Sequence, residues 1–380
     1  MTFSHLVAGE PDDAMRRYFE VRGHLVKVVT ASAAANDLVS ETFYPPGMLG
    51  TFETTPDREP DLTVVDLDCD PADIRELLRR VASRETPGEY ELTRGHRLPR
   101  FDGASHSVFT LKDVKSDELA ALVRSEGRAT LMRPRTGLGE RWLTRVLRDV
   151  ATRLATAEGS LILHSSGFVM DGSAYLVIGD SGAGKSTTAV ALSRLLPQAG
   201  WIGNDRIHLE RVESRYEVTA CPLPLAVNKG SLDVMGVTDF ATWKPRAGLP
   251  PEGSDWDQFC GEDKLKLSCR EVTRYLGVRV VPNAPLAGVL LPRIDPEGEY
   301  HLEPASPEHV ADVVGRNCFS VDDNLYGEDW LKVPVPRRLA PPTVDEFLGH
   351  IAELPVLRCS MGDARDLAKL ADELPQAVRS

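Results

Sequence analysis

The chain has 380 residues, 42% hydrophobic and 27% charged, a composition that fits a folded globular protein and excludes a disordered or fibrous one. Acidic residues outnumber basic ones by 57 to 44, giving a formal charge of −13, which argues against non-specific nucleic-acid binding because a polyanion is repelled. No apolar run reaches the length of a membrane span and no basic-then-apolar segment opens the chain, so no membrane is expected and the cytoplasm is the expected compartment.

The length predicts two domains: an N-terminal mixed α/β domain over residues 1–135 and an α/β domain over 136–380. In chain order, His24 to Thr30 and Asp61 to Asp66 are apolar, β-branched runs and read as strands. Asp70 and Pro71 supply a cap and a first-turn proline, and Ile74, Leu77, Leu78 and Val81 follow at helical spacing, which predicts a helix to about Ser83. Between Tyr90 and Pro134 short alternating runs read as strands, with a helix expected over Ser116 to Glu126. Leu138 to Ala157 is amphipathic and reads as a helix leading into the second domain.

Beyond it come LILHSSGFVM, AYLVIGD, GWIGNDRIHLE and YEVTACPLPL, successive strand signals with one clear helix, Ser186 to Leu196, among them. Lys244 to Gly261 is rich in Pro and Gly and reads as a long loop, followed by a strand at KLKLS, a helix near Arg270 to Leu276 and a strand at Leu286 to Leu291. Two terminal helices are expected at Pro341 to Leu354 and Asp363 to Leu374. The cysteines, Cys69, Cys221, Cys260, Cys269, Cys318 and Cys359, lack CxxC spacing and are expected to be reduced and not metal-bound.

The segment AYLVIGDSGAGKSTTAVAL carries the chemistry. A buried strand precedes Gly179, Asp180, Ser181, Gly182, Ala183, Gly184, Lys185 and Ser186, which fit GxxxxGK[ST], and a helix follows at once. Glycines let successive backbone N–H groups turn inward onto phosphate oxygens, and the helix N-terminus adds free N–H groups and partial positive charge. Lys185 is expected to neutralise the β- and γ-phosphates and Ser186 to ligate Mg2+, so ATP with Mg2+ is the expected ligand of Gly179 to Thr187. Asp205 follows Lys185 by only twenty residues, a short interval that suggests a kinase arrangement.

Together HSSGFV, GDSGAGKST and GNDRIHL, over about residues 160–236, closely resemble the catalytic core of the HPr kinase/phosphorylase family, whose fold is shared with ATP-dependent phosphoenolpyruvate carboxykinases. The first 135 residues are not matched. The resemblance implies that His164 lies close to the transferred phosphoryl group, that Lys185 and Ser186 serve phosphate and metal, and that Asp205 is a metal or water-shell ligand. It puts Asn204 where the family has the Asp that serves as base, and Ala226 where it has a metal-holding Glu. An amide orients a hydroxyl but cannot take its proton. In its long N-terminal segment and its Asn204-Asp205-Arg206 string the chain resembles more closely the diverged relatives that look like single-direction kinases, including ones that phosphorylate a serine of a ribosomally made peptide.

Around this core Arg206 reads either as a surface charge or as a nucleotide or acceptor ligand, and Lys264 and Lys266 as a solvated strand face or a γ-phosphate contact. Trp243 and Trp256 read as packing residues more than as covers for adenine or peptide. The expectation is an ATP-dependent kinase whose acceptor is a serine of a peptide or small protein; homo-oligomerisation stays open. Two rivals stand beside it: a nucleotide-gated binding module that transfers nothing, and a kinase of a small metabolite.

Overall fold

The structure, a computed structural model, describes residues 9–11, 13–21, 23–45, 52–53, 56–93, 96–112, 117–250, 252–254, 263–295, 297–319, 329–335 and 338–379. It is a mixed α/β protein with parallel and antiparallel pairs in both large sheets. Residues 1–40, 49–158 and 320–339 form one compact unit and residues 41–48, 159–319 and 340–380 the other. Among the described residues, no helix is long and apolar enough to cross a membrane.

The first unit is built on strands β1 (Met15–Val21), β2 (His24–Thr30), β3 (Phe52–Glu53), β4 (Leu62–Asp68), β5 (Thr86–Thr93), β6 (His96–Asp102), β7 (Ser107–Lys112), β8 (Leu119–Ser125) and β9 (Arg128–Arg133). They lie in the order β3-β1-β2-β4-β9-β8-β7-β6-β5, with β2, β4 and β9 parallel at the centre. Helix α1 (Ala33–Thr42) begins the crossover from β2 to β4, and α2 (Pro71–Ala82) follows β4. Asp70 caps α2 by accepting from the Ala72 N–H at 2.7 Å, and Ile74, Leu77, Leu78 and Val81 pack on Val108, Ala121, Val123 and Met132. This is the start and the buried face that the local sequence predicts.

Residues 119–125 are strand β8, not the expected helix. Ala, Leu and Glu favour a helix here, but pairing with β7 and β9 buries Ala120, Ala121, Leu122 and Val123, and tertiary burial overrides propensity. Helix α3 (Gly137–Ala157), capped by Thr136, packs against β9 and belongs to this unit, whereas the sequence reading starts the second domain at residue 136.

The second unit contains β10 (Leu161–Leu163), β11 (Ser165–Met170), β12 (Ser173–Ile178), helix α4 (Lys185–Leu195), β13 (Gly200–Gly203), β14 (Ile207–Val212), β15 (Arg215–Ala220) and β16 (Leu225–Val227). After α5 (Lys229–Val234) come β17 (Leu265–Leu267), α6 (Cys269–Leu276), β18 (Asn283–Ile294), β19 (His301–Pro304), α7 (Pro307–Asn317), α8 (Val344–Ile351), β20 (Val356–Met361) and α9 (Ala364–Ala377). The main sheet runs β10-β14-β15-β18-β12-β11-β13, with β20 beside β18 and β19 beside β20. Strands β12, β18 and β20 are parallel. Helix α4 packs on β11, β12 and β13, and α9 packs on α4.

Strands β11 and β12 form a two-residue hairpin whose central residues, Asp171 and Gly172, both have positive φ (51° and 78°), the backbone a tight turn of that hand needs. The described part of residues 244–261 forms no regular element; Trp256 and Cys260 lie outside the described residues. Helix α7 was not expected from the sequence.

Candidate functional site

The site grows from β12, whose Leu176, Val177 and Ile178 are fully buried between β11 and β18. The chain then turns through residues 179–184 into α4. Gly182 and Gly184 have φ of 83° and 91°, a region that residues with a Cβ rarely enter. A Cβ on Gly184 would lie 2.2 Å from Ile294 Cδ1, so the close approach of β18 to the loop also demands glycine. No side chain caps α4, whose first turn therefore keeps its N–H groups for another acceptor. The first residue of that turn is Lys185, buried, with Nζ donating to the Gly179 carbonyl at 2.7 Å and the Asp180 carbonyl at 3.1 Å.

Burial pushes the Lys185 ammonium below its ordinary value, Asp205 and Asp180 push it back up, and the positive charge of Lys264 lowers it further. Lys264 is thus within electrostatic reach of the loop, exposed just before β17. Ser186 is half-buried, and the exposed loop residues are Asp180, Ser181 and Gly182. Thr187 is buried, its hydroxyl 2.8 Å from that of Ser231, which in turn donates to Asn228 Oδ1 at 2.7 Å. The Thr187 side chain is therefore tied to the start of α5, and only its backbone N–H belongs to the open end of α4.

Beside the loop stand the ends of β10 and β13. His164, between β10 and β11, is half-buried, and its Nε2 is 3.9 Å from Asp205 Oδ1. Burial first, then the charges of Lys185 and Arg206, hold this imidazole below the ordinary histidine value, with Asp205 opposing them. These surroundings favour the neutral imidazole over the imidazolium.

Asn204 and Asp205 form the turn from β13 to β14. Asp205 is exposed with φ of 63°, a strained conformation for a residue with a side chain. Asn204 is 1% exposed; its Nδ2 donates to Asp205 Oδ2 at 2.9 Å, while its buried Oδ1 has no partner among the described residues. A buried acceptor left open costs free energy unless something donates to it.

Ala226 sits half-buried on β16, directly across from Lys266 of β17, and supplies no ligand. Trp243 is buried and stacks on Tyr275 at 4.9 Å, as a packing residue does. Among the described residues, no three His, Cys, Asp or Glu side chains cluster as a metal site. A magnesium ion carried by phosphates needs fewer protein ligands than such a cluster, and Ser186 and Asp205 would be the residues to hold it. The glycine cradle, the uncapped helix start and the buried lysine fit an anionic phosphate group.

The sequence reading missed Arg316, whose guanidinium reaches the loop at Asp180 from α7. A local signal for the helix was present: Ser306 and Pro307 mark its start, and Val310, Val313 and Val314 follow at helical spacing. No protein-family model matches the chain, and no curated protein matches it significantly.

Proposed function

We propose that the chain is an ATP-dependent phosphotransferase of the HPr-kinase type, acting in the cytoplasm on a serine hydroxyl of a peptide or small protein. The observation that carries this reading is the junction of β12 and α4, where two left-handed glycines and a buried lysine meet His164 and Asp205. In the transfer a bond forms between the acceptor oxygen and the γ-phosphorus, and the bond from that phosphorus to the β–γ bridging oxygen breaks, releasing ADP. The backbone N–H groups of 179–187 hold the phosphates, and Lys185 exchanges its two carbonyl partners for phosphate oxygens. Ser186 and Asp205 would hold magnesium, which would supply positive charge to the phosphates.

Asn204, whose Nδ2 donates to Asp205 Oδ2, holds that carboxylate in place beside the acceptor hydroxyl. The proton of that hydroxyl goes to His164, which its surroundings keep neutral. Positioning and charge neutralisation make up most of phosphoryl-transfer catalysis, so an imidazole and an amide suffice where related sites use a carboxylate.

One observation favours a second reading: with an amide at 204 and no carboxylate next to Asp205, the chain would hold ATP and present a partner-binding surface without transferring phosphate. Incubation with γ-labelled ATP and candidate acceptor peptides separates the two. Transfer requires label on a hydroxyl acceptor with wild type and none with Asp205→Asn. Absence of label from every acceptor, together with ATP-dependent capture of a partner, would establish the gated module instead.

A further inference from the structure

Helix α7 ends beside the glycine-rich loop. Its last turn carries Arg316, whose Nε donates to Asp180 Oδ1 at 3.2 Å and whose Nη2 donates to Asp180 Oδ2 at 3.0 Å. The third nitrogen, Nη1, donates to Asp312 one turn back at 2.5 Å. The residues that follow lie along the strand leading to His164. The Asn317 carbonyl accepts from the His164 N–H at 2.7 Å, Cys318 bridges to Leu163, and the Phe319 N–H donates to the Ile162 carbonyl at 3.0 Å. The Phe319 ring lies 6.4 Å from the His164 ring. Residues 316–319 therefore touch both the loop and the strand that carries the imidazole.

Asp180 is the second residue of the loop, and the carbonyl of the same residue accepts from Lys185 Nζ. A bare carboxylate there opposes the entry of any ligand that carries several negative charges. The planar fork of an arginine meets both carboxylate oxygens at once, which a lysine cannot do. As a contribution to folding such an exposed pair is worth little, so its effect is expected where an anion binds.

From this geometry we infer that Arg316 is a positioning residue of the phosphate site: it cancels the charge of Asp180 against the nucleotide and holds the loop in register with His164. The inference rests on the proposed function, since it assigns Arg316 to the same site. Neither the glycine-rich motif nor the residues beside it in sequence point to α7.

The test is calorimetric titration of the full-length protein with Mg-ATP at low and high salt, using wild type, Arg316→Ala, Arg316→Lys, Asp180→Asn and the Asp180→Asn/Arg316→Ala double variant. Arg316→Ala is expected to weaken binding about fivefold at low salt and less at high salt, the range of one screened surface charge. Arg316→Lys recovers part of the loss. Asp180→Asn in the double variant removes the carboxylate and restores affinity, while the unfolding midpoint stays at the wild-type value throughout. Wild-type affinity in Arg316→Ala, or a double variant as weak as the single one, would overturn the inference and leave the proposed function standing. Wild type that binds no Mg-ATP at all would overturn both.

Discussion

In the first unit Arg133 is fully buried with two guanidinium nitrogens on Asp66 at 2.7 Å each, and Thr30 donates a third hydrogen bond to the same carboxylate at 2.7 Å. In the second unit, among the described residues, buried Lys185 donates to two backbone carbonyls and to no carboxylate, buried Asn204 leaves an oxygen open, and Asp205 sits in a left-handed conformation. Both places take polar groups out of water, and only the first gives each of them a partner of matching charge. A closed set of partners leaves nothing with which to bind a ligand. The open set keeps donors, an acceptor and strain in reserve, which is what a site for an external anion requires.

The largest effect is therefore expected where the partners are complete. Asp66→Ala takes two hydrogen bonds from buried Arg133 and leaves it the Asp68 carboxylate at 2.8 Å, so the cost is expected at the lower end of the about 3–5 kcal/mol of a broken buried pair, still a large part of the stability of a typical domain. Chemical denaturation should show this loss in full. A loss under about 1 kcal/mol would mean that water reaches Arg133 and that the contrast with the second unit is false.

Lys185→Ala should show the opposite balance. Its ammonium is desolvated and holds no carboxylate directly, so its removal is expected to change stability by less than about 1 kcal/mol. Mg-ATP affinity should fall about 10- to 100-fold, the worth of a charge-assisted contact to phosphate. Unchanged affinity and unchanged ATP consumption would remove the loop from the proposed site.

What could be read from the sequence follows the same division between local and distant causes. Helix α2 was legible because cap, proline and apolar spacing all lie within residues 70–81. The loop was legible because close approach and positive φ leave glycine as the residue for those positions, and Ile294 against Gly184 supplies the steric reason. Strand β8 was misread because its residues favour a helix and only pairing with β7 and β9 decides otherwise. The meeting of Arg316 with Asp180, 136 residues apart, has no trace in local pattern. The open oxygen of Asn204 was likewise beyond sequence, which shows an amide but not that its nitrogen is already engaged by Asp205.

The smallest effect concerns the balance of charge around His164. Burial, Lys185 and Arg206 all disfavour the imidazolium, and Asp205, at 3.9 Å, is the one neighbour that favours it. Since the imidazole must be neutral to take the acceptor proton, kcat/KM should stay flat down through the ordinary histidine range and fall only at lower pH, tenfold per unit. Replacing Asp205 by Asn removes the only favourable charge, so the His164 value should move down, not up. Both side chains are partly exposed, so solvent screens the pair and the shift is expected to be small. A proton NMR titration of the His164 ring in wild type and Asp205→Asn reads this shift whether or not the variant turns over. If the value rises or does not move in Asp205→Asn, the carboxylate does not favour the imidazolium and the balance of charge described around His164 is wrong.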